Sequence, residues 1–229
     1  MMTLPNPLSA VILDMDGTLH DTEVVYHEAL QAAVRAVGFA VTEAFCHSLI
    51  GIPGPETDAM LVAHLGPDFP FAEFDRQYEA LRDRALAAEF PLKAGAAQLL
   101  EALVHNGMKV AVATSASRRA AELHLGRSCL RAHLPVVVTR DDVARGKPHP
   151  DVFLRAAELL GVPAQECLAV EDSFNGIRAA HAAGMMPVMV PDLLAPTPEI
   201  RTLCVCIARD LHEVRTLVAE HAAAPPCGP

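Results

Sequence analysis

The feature that most restricts the fold is a rhythm of short apolar runs, each ending in a polar loop and followed by a stretch with helical spacing. Ala10 to Leu13 (AVIL), Lys109 to Ala113 (KVAVA), Leu134 to Thr139 (LPVVVT), Cys167 to Val170 (CLAV) and Met186 to Val190 (MPVMV) are short, apolar and rich in valine, and read as strands. Between and after them, Ala96 to His105, Ser117 to Leu125, Asp151 to Leu160 and Phe174 to Ala183 carry helical spacing. Strands alternating with helices predict parallel βαβ units, and so an α/β fold with a doubly wound parallel sheet. Leu203 to Ala208 is a candidate last strand before a helix from Leu211 to His221, and the tail 222–229 (AAAPPCGP) is expected to be disordered.

The rhythm breaks once. From Thr22 to about Glu89 the spacing is helical, over Glu23 to Val37, Glu56 to Leu65 and Phe71 to Ala88, with a loop expected at Gly51 to Pro55 because of its glycines and prolines. The strand ending at Leu13 therefore belongs with strands that resume only at Lys109. The expected organisation is an α/β core from 1–19 and 90–221, split by an inserted α-helical domain over 20–89.

Hydrophobic residues make up 52% of the chain, ample for a core of this size, while the formal net charge is −10 with no run of Lys or Arg. Gripping a polyanion needs a basic face, so nucleic acid is not an expected partner. The apolar start Leu8 to Leu13 is too short for a secretion signal or a membrane span, and nothing later reaches that length, so no membrane partner is expected. Cys46, Cys129, Cys167, Cys204, Cys206 and Cys227 form no CxxC pair, which favours reduced thiols and a cytoplasmic setting. Cys204-x-Cys206 lacks ligand-spaced partners. The 11 histidines show no HxxxH spacing and read as surface or core imidazoles.

Ligands of open parallel sheets bind beyond the carboxyl ends of the strands. Here those ends carry chemistry. The first strand runs into Asp14-Met15-Asp16-Gly17-Thr18, and the second into Thr114-Ser115-Ala116-Ser117. The third is followed by Gly146-Lys147-Pro148, and the fourth by Glu171-Asp172-Ser173. Asp14 and Asp16 fall on one face of an extended chain, where like charges repel. A DxDG segment alone is often an Asx turn, but its position after a strand, with three complementary loops, favours chemistry.

Together the four loops resemble the motifs of the haloacid dehalogenase superfamily of aspartate-nucleophile phosphotransferases. DMDGT is similar to the first motif, TS at the strand end to the second, GKPHPD to the third and VEDSFNG to the fourth, over about residues 9 to 190. The helical stretch after the first motif resembles the family's type-one cap, which points to subfamily I and its β-phosphoglucomutase-like branch.

The resemblance implies roles for these residues. Asp14 would be the nucleophile that forms an aspartyl-phosphate. Asp16 would protonate the leaving alcohol and later deprotonate water. Mg²⁺ would be held by Asp14, the Asp16 backbone carbonyl and Asp172, with Glu171 either ligating it or orienting Lys147. Ser115 and the Ala116 N–H would bind phosphoryl oxygens, and Lys147 would place a charge against phosphate and Asp14. His20, at the expected cap hinge, is a candidate substrate contact, as are the cap residues His27, Arg82 and Arg84, which solvated helix faces explain equally well. Ser117 and Ser173 suit helix caps, Pro150 and Asp151 a helix start, and Asp141-Asp142 a solvated turn.

The expected activity is Mg²⁺-dependent hydrolysis of a small phosphorylated metabolite, of sugar phosphate or nucleoside monophosphate type, by a chain that is a monomer by default. The alternative, a β-phosphoglucomutase-like mutase, grips a second phosphate with a cap-loop arginine, and Gly51 to Glu56 has no basic residue. Hydrolytic dehalogenases lack the second acid of the first motif, present here as Asp16. Phosphonatases carry a cap lysine, and residues 20–90 have none.

Overall fold

The computed structural model describes residues 4, 7–52, 54–88 and 90–223. Among them run six strands: β1 (Ala10–Leu13), β2 (Lys109–Ala113), β3 (Val136–Val138), β4 (Cys167–Glu171), β5 (Met186–Met189) and β6 (Cys206–Ile207). The helices are α1 (Glu23–Ala36), α2 (Glu43–Ser48), α3 (Gly54–Leu65), α4 (Phe71–Ala88), α5 (Ala96–His105), α6 (Arg118–Arg127), α7 (Asp151–Leu160), α8 (Phe174–Ala182), α9 (Pro198–Leu203) and α10 (Leu211–Ala223).

All strand pairs are parallel, in the order β3-β2-β1-β4-β5-β6. Chain order reverses between β1 and β4, and loops that leave a sheet in opposite directions at such a point open a crevice. The period of two in β1 divides the core. Val11 and Leu13 face Leu99, Leu100 and Leu103 of α5, Leu125 of α6 and Val214 of α10. Ala10 and Ile12 face Phe153 and Ala156 of α7 and Ala179 and Ala180 of α8. With both faces covered, the central strands are buried throughout, which is why they read as unbroken apolar runs.

Helices α1 to α4 have their own apolar centre, including Leu30, Val34, Leu49, Leu61, Phe69 and Phe74. Two adjacent crossings join this cap to the sheet. Asp21 N donates to Pro91 O (3.0 Å) and Lys93 N to Leu19 O (3.0 Å), while Lys93 Nζ bridges Asp21 (3.0 Å) and Asp192 (2.7 Å). The cap also touches the core through Gly51. This residue has φ +72°, and a Cβ on it would lie 2.6 Å from Cβ of Ser173, at the start of α8. Among the described residues, no helix is long and apolar enough to cross a membrane.

Several boundaries differ from expectation. Helix α2 was not expected; Thr42 caps it, its hydroxyl accepting from Phe45 N (3.2 Å). Helix α3 begins at Gly54, inside the expected loop, with Pro55 in the first turn where no backbone donor is needed. The last strand shrinks to two residues, and α9 ahead of it takes Pro198 to Leu203, capped by Thr197, whose hydroxyl accepts from Ile200 N (3.3 Å). Helix α10 runs two residues past His221; the rest of the expected tail, 224–229, lies outside the described residues.

Candidate active site

A cavity of about 740 Å³ lies between the cap and the carboxyl rim of the sheet. Its floor includes Asp14, Asp16, Ser115, Lys147 and Asp172; Tyr26, Ile52, Phe74, Tyr78 and Arg82 are among the cap residues above it.

Asp14 continues β1, its N–H donating to Val170 O (2.9 Å). The chain then turns back at Gly17, whose N–H donates to His20 O (2.8 Å) at φ +83°. A Cβ at Gly17 would lie 2.4 Å from Asp172 Oδ2, so only glycine lets the turn and the carboxylate share this space. Thr18 Oγ1 donates to Asp172 Oδ1 (2.9 Å), tying the turn to the same carboxylate.

Lys147 is buried, and its ammonium is fully engaged: it donates to Asp14 Oδ1, to Glu171 Oε1 (2.5 Å) and to Ala113 O (2.9 Å). Burial works against its charge, but Asp14 and Glu171 outweigh that and hold its pKa above the ordinary lysine value. Burial raises the Asp14 carboxyl against the pull of Lys147, with the Glu171 charge adding to the rise. Asp172 is raised well above its ordinary value by burial and then by the charges of Glu171 and Asp14.

Glu171 has protein partners for both oxygens. Oε2 accepts from Asp172 N (3.1 Å), Ser173 N (3.0 Å) and Ser173 Oγ (2.9 Å), leaving Oε1 to hold Lys147. A Cβ at Gly176 would fall 1.7 Å from Oε1, so the first turn of α8 also requires glycine. Asp14, Glu171 and Asp172 each place a carboxylate oxygen within 4.8 Å of the others. Three carboxylates against one ammonium, presenting hard oxygen donors at ligand separation, fit a divalent cation of the Mg²⁺ type.

Ser115 Oγ is buried with no hydrogen-bond partner among the described residues, at the cavity floor. Such an atom suits an incoming oxygen. The Ala116 N–H donates to Thr114 Oγ1 (3.1 Å) at the cavity wall. One expectation needs correction: His20 does not line the cavity. Met15 O accepts from both Leu19 N and His20 N (2.9 Å each), and this tight turn carries the imidazole beneath α6, where Nε2 pairs with Ser128 Oγ (2.9 Å) against Phe90. Burial lowers its pKa to about 4.

No motif spacing signals what surrounds Asp16. Its Oδ1 accepts from Thr22 Oγ1 (2.8 Å) and Tyr26 OH (3.0 Å) and lies 3.5 Å from His124 Nδ1. Burial pushes this carboxyl up, but the hydrogen bond and charge of His124, with His20 and Thr22, outweigh it and leave the pKa below the ordinary value. Glu23 also reaches the cavity, where burial and the charges of Asp16 and Asp14 push it up to about 8. His27 and Arg82 line the cavity; Arg84 and Asn175 are not part of its wall. Asp141 and Asp142 are not a free turn: they accept from Arg118 N (2.8 Å) and from its guanidinium, respectively, holding the start of α6.

Residues 8–184 match the family model of the haloacid dehalogenase-like hydrolases. The chain belongs to this family. Among haloacid dehalogenase-like relatives, it is 32% identical over 178 residues to a phosphorylated carbohydrates phosphatase of Thermotoga maritima, covering 78% of this chain and 82% of the relative. The crystal structure of CbbY from Rhodobacter sphaeroides in complex with phosphate superimposes with a TM-score of 0.76 at 29% identity, covering 90% of this chain and 96% of the other. β-Phosphoglucomutase from Clostridium difficile shares the fold, with a TM-score of 0.76 at 20% identity over 95% of this chain and all of that one. The fold and family match the resemblance read from the four loops.

Proposed function

We propose that the protein is a phosphatase that hydrolyses a small phosphorylated carbohydrate through an aspartyl-phosphate on Asp14. The observation that carries this reading is the floor of the cavity, where Asp14, a buried lysine and an unpartnered serine hydroxyl converge beneath the cap helices. The phosphatase relative and the phosphate-bound CbbY structure support it. Asp14, Asp172 and the Asp16 carbonyl would hold Mg²⁺, whose charge, when bound, offsets that of the carboxylates and the phosphoryl oxygens.

The chain's own groups divide the remaining work. Lys147 holds Asp14 in place and screens its approach to an anion. Ser115 Oγ donates to a phosphoryl oxygen. An Asp14 oxygen bonds to phosphorus as the bond to the leaving alcohol breaks, and Asp16 gives that alcohol its proton. An arriving phosphate anion raises the proton affinity of Asp16 by like-charge repulsion, so the proton is present when needed. In the second half, water bonds to phosphorus, Asp16 takes its proton, and the Asp14 ester breaks to release phosphate. What favours hydrolysis over isomerisation is the cap loop 51–56, which brings no cation to hold a second phosphate.

The test is phosphate release from a panel of sugar phosphates, nucleoside monophosphates and an aryl phosphate, with and without magnesium. A folded Asp14→Asn variant should be inactive, and Asp16→Asn should bind ester yet turn over very slowly. Wild-type protein inert to the whole panel with magnesium, or near-native rates in either variant, overturns the reading.

A further inference from the structure

Two histidines far apart in the sequence meet in the fold. His20, from the turn after β1, and His124, from the last turn of α6, both approach the side chain of Asp16. One ring nitrogen of each and one carboxylate oxygen lie within 4.8 Å of one another. His124 Nδ1 stands 3.5 Å from Asp16 Oδ1. Two ligands on one tetrahedral zinc ion, with bonds of about 2.0–2.1 Å, are separated by about 3.4 Å. Tyr26 OH lies 3.0 Å from the same oxygen and 3.4 Å from the same nitrogen, adding a further oxygen to the group.

A second observation is independent of these separations. His20 Nδ1 is buried without a hydrogen-bond partner among the described residues, in a side chain with no solvent exposure. Buried polar atoms are nearly always paired, so an unpaired nitrogen on one of the two rings in this cluster calls for a ligand. Phe90 packs against both rings, with centroids 4.8 Å from His20 and 5.0 Å from His124, and shields the group on one side.

We propose that Asp16, His20 and His124 form a second cation site, selective for zinc-like transition metals. Two imidazoles and one carboxylate are a borderline-soft donor set that suits zinc, whereas magnesium prefers all-oxygen surroundings such as Asp14 and Asp172 provide. Zinc bound here takes up the Asp16 carboxylate, so the enzyme stops even when magnesium is in large excess. That consequence for turnover rests on the function proposed above; the site itself does not.

The experiment combines zinc-edge anomalous scattering from wild-type crystals soaked with zinc, under excess magnesium, with equilibrium dialysis of zinc against wild type, D172N, H20N and H124Q. The expected results are an anomalous peak among Asp16, His20 and His124 and one zinc retained by D172N. Affinity should fall by at least ~100-fold in H20N and H124Q, the upper end of the ~10–100-fold cost of removing only an outer partner. Zinc inhibition that added magnesium does not relieve would support the same site. A peak confined to Asp14 and Asp172, no peak at all, or folded H20N and H124Q proteins that bind zinc like wild type would each overturn the proposal. The scattering decides even if a histidine variant fails to fold, and even if the protein hydrolyses no phosphate ester.

Discussion

Ser115 keeps a buried hydroxyl that no described residue hydrogen-bonds, and Lys147 keeps a buried charge that three acceptors surround. Their removal should have opposite consequences. A lone buried hydroxyl costs desolvation without return, whereas one hydrogen bond to a charged group contributes roughly 1.5–3 kcal/mol. Ser115→Ala should therefore keep or slightly raise the melting temperature while kcat/KM for the phosphate ester falls about 10–100-fold. A clear loss of stability with unchanged kcat/KM would show that the hydroxyl is structural. Lys147→Met instead leaves the Asp14 and Glu171 carboxylates facing each other without their cation. Breaking a buried pair in this way costs about 3–5 kcal/mol. Urea unfolding at neutral pH should show a loss of that order, shrinking in acid as Asp14 takes up a proton. A loss that does not change with pH would mean the carboxylates had found other partners.

At the scale of elements, legibility followed local signal. The strands β1, β2, β4 and β5 announced themselves because burial on both faces leaves mostly apolar residues, and the candidate site loops because each follows a strand. Helices α2 and α9, at six residues each, are too short for periodicity to register and are held by the threonine caps Thr42 and Thr197. The contact of Asp16 with His124 joins residues on separate elements that no motif spacing links, and the seat of His20 beneath α6 depends on the exact path of one turn. The closure of the cap was equally hidden. The sequence marks Gly51 as a loop glycine, but only the fold puts it against Ser173, in the left-handed region where a side chain is costly. Gly51→Val should hold the cap loop off the core, raising KM and slowing turnover while leaving global stability little changed, because the strained loop can lift without unfolding the sheet. Small-angle scattering should show a larger radius of gyration than wild type. An unchanged radius with unchanged kinetics would sink this account of closure.

For the molecule as a whole, the decisive imbalance is the excess of carboxylate at the cavity floor in a chain already at net charge −10. Asp14 and Asp172 have raised pKa values in the folded state, and Glu23 is pushed up to about 8. Unfolded carboxyls titrate near ~4, so between that pH and the raised values the folded chain holds more protons than the unfolded one. The stability that this proton uptake supplies is complete below about pH 4 and is lost as pH rises through the folded values. Asp16, lowered in the folded state, has the opposite sign, but its contribution fades only in acid, as pH falls below the ordinary carboxylate range. Metal-free protein should accordingly melt at progressively lower temperature as pH climbs from 5 to 8, a window set by the carboxyl reference of about 4 and by the raised Glu23 value of about 8. Magnesium competes with the same protons, so its stabilisation should grow across that window, reaching about 2.7 kcal/mol at a hundredfold excess over Kd. Scanning calorimetry with chelator or magnesium at each pH measures both trends, and Asp172→Asn should flatten the magnesium effect. Stabilisation that is larger at the acid end, or that survives in Asp172→Asn, would mean the cation is held somewhere other than between Asp14 and Asp172.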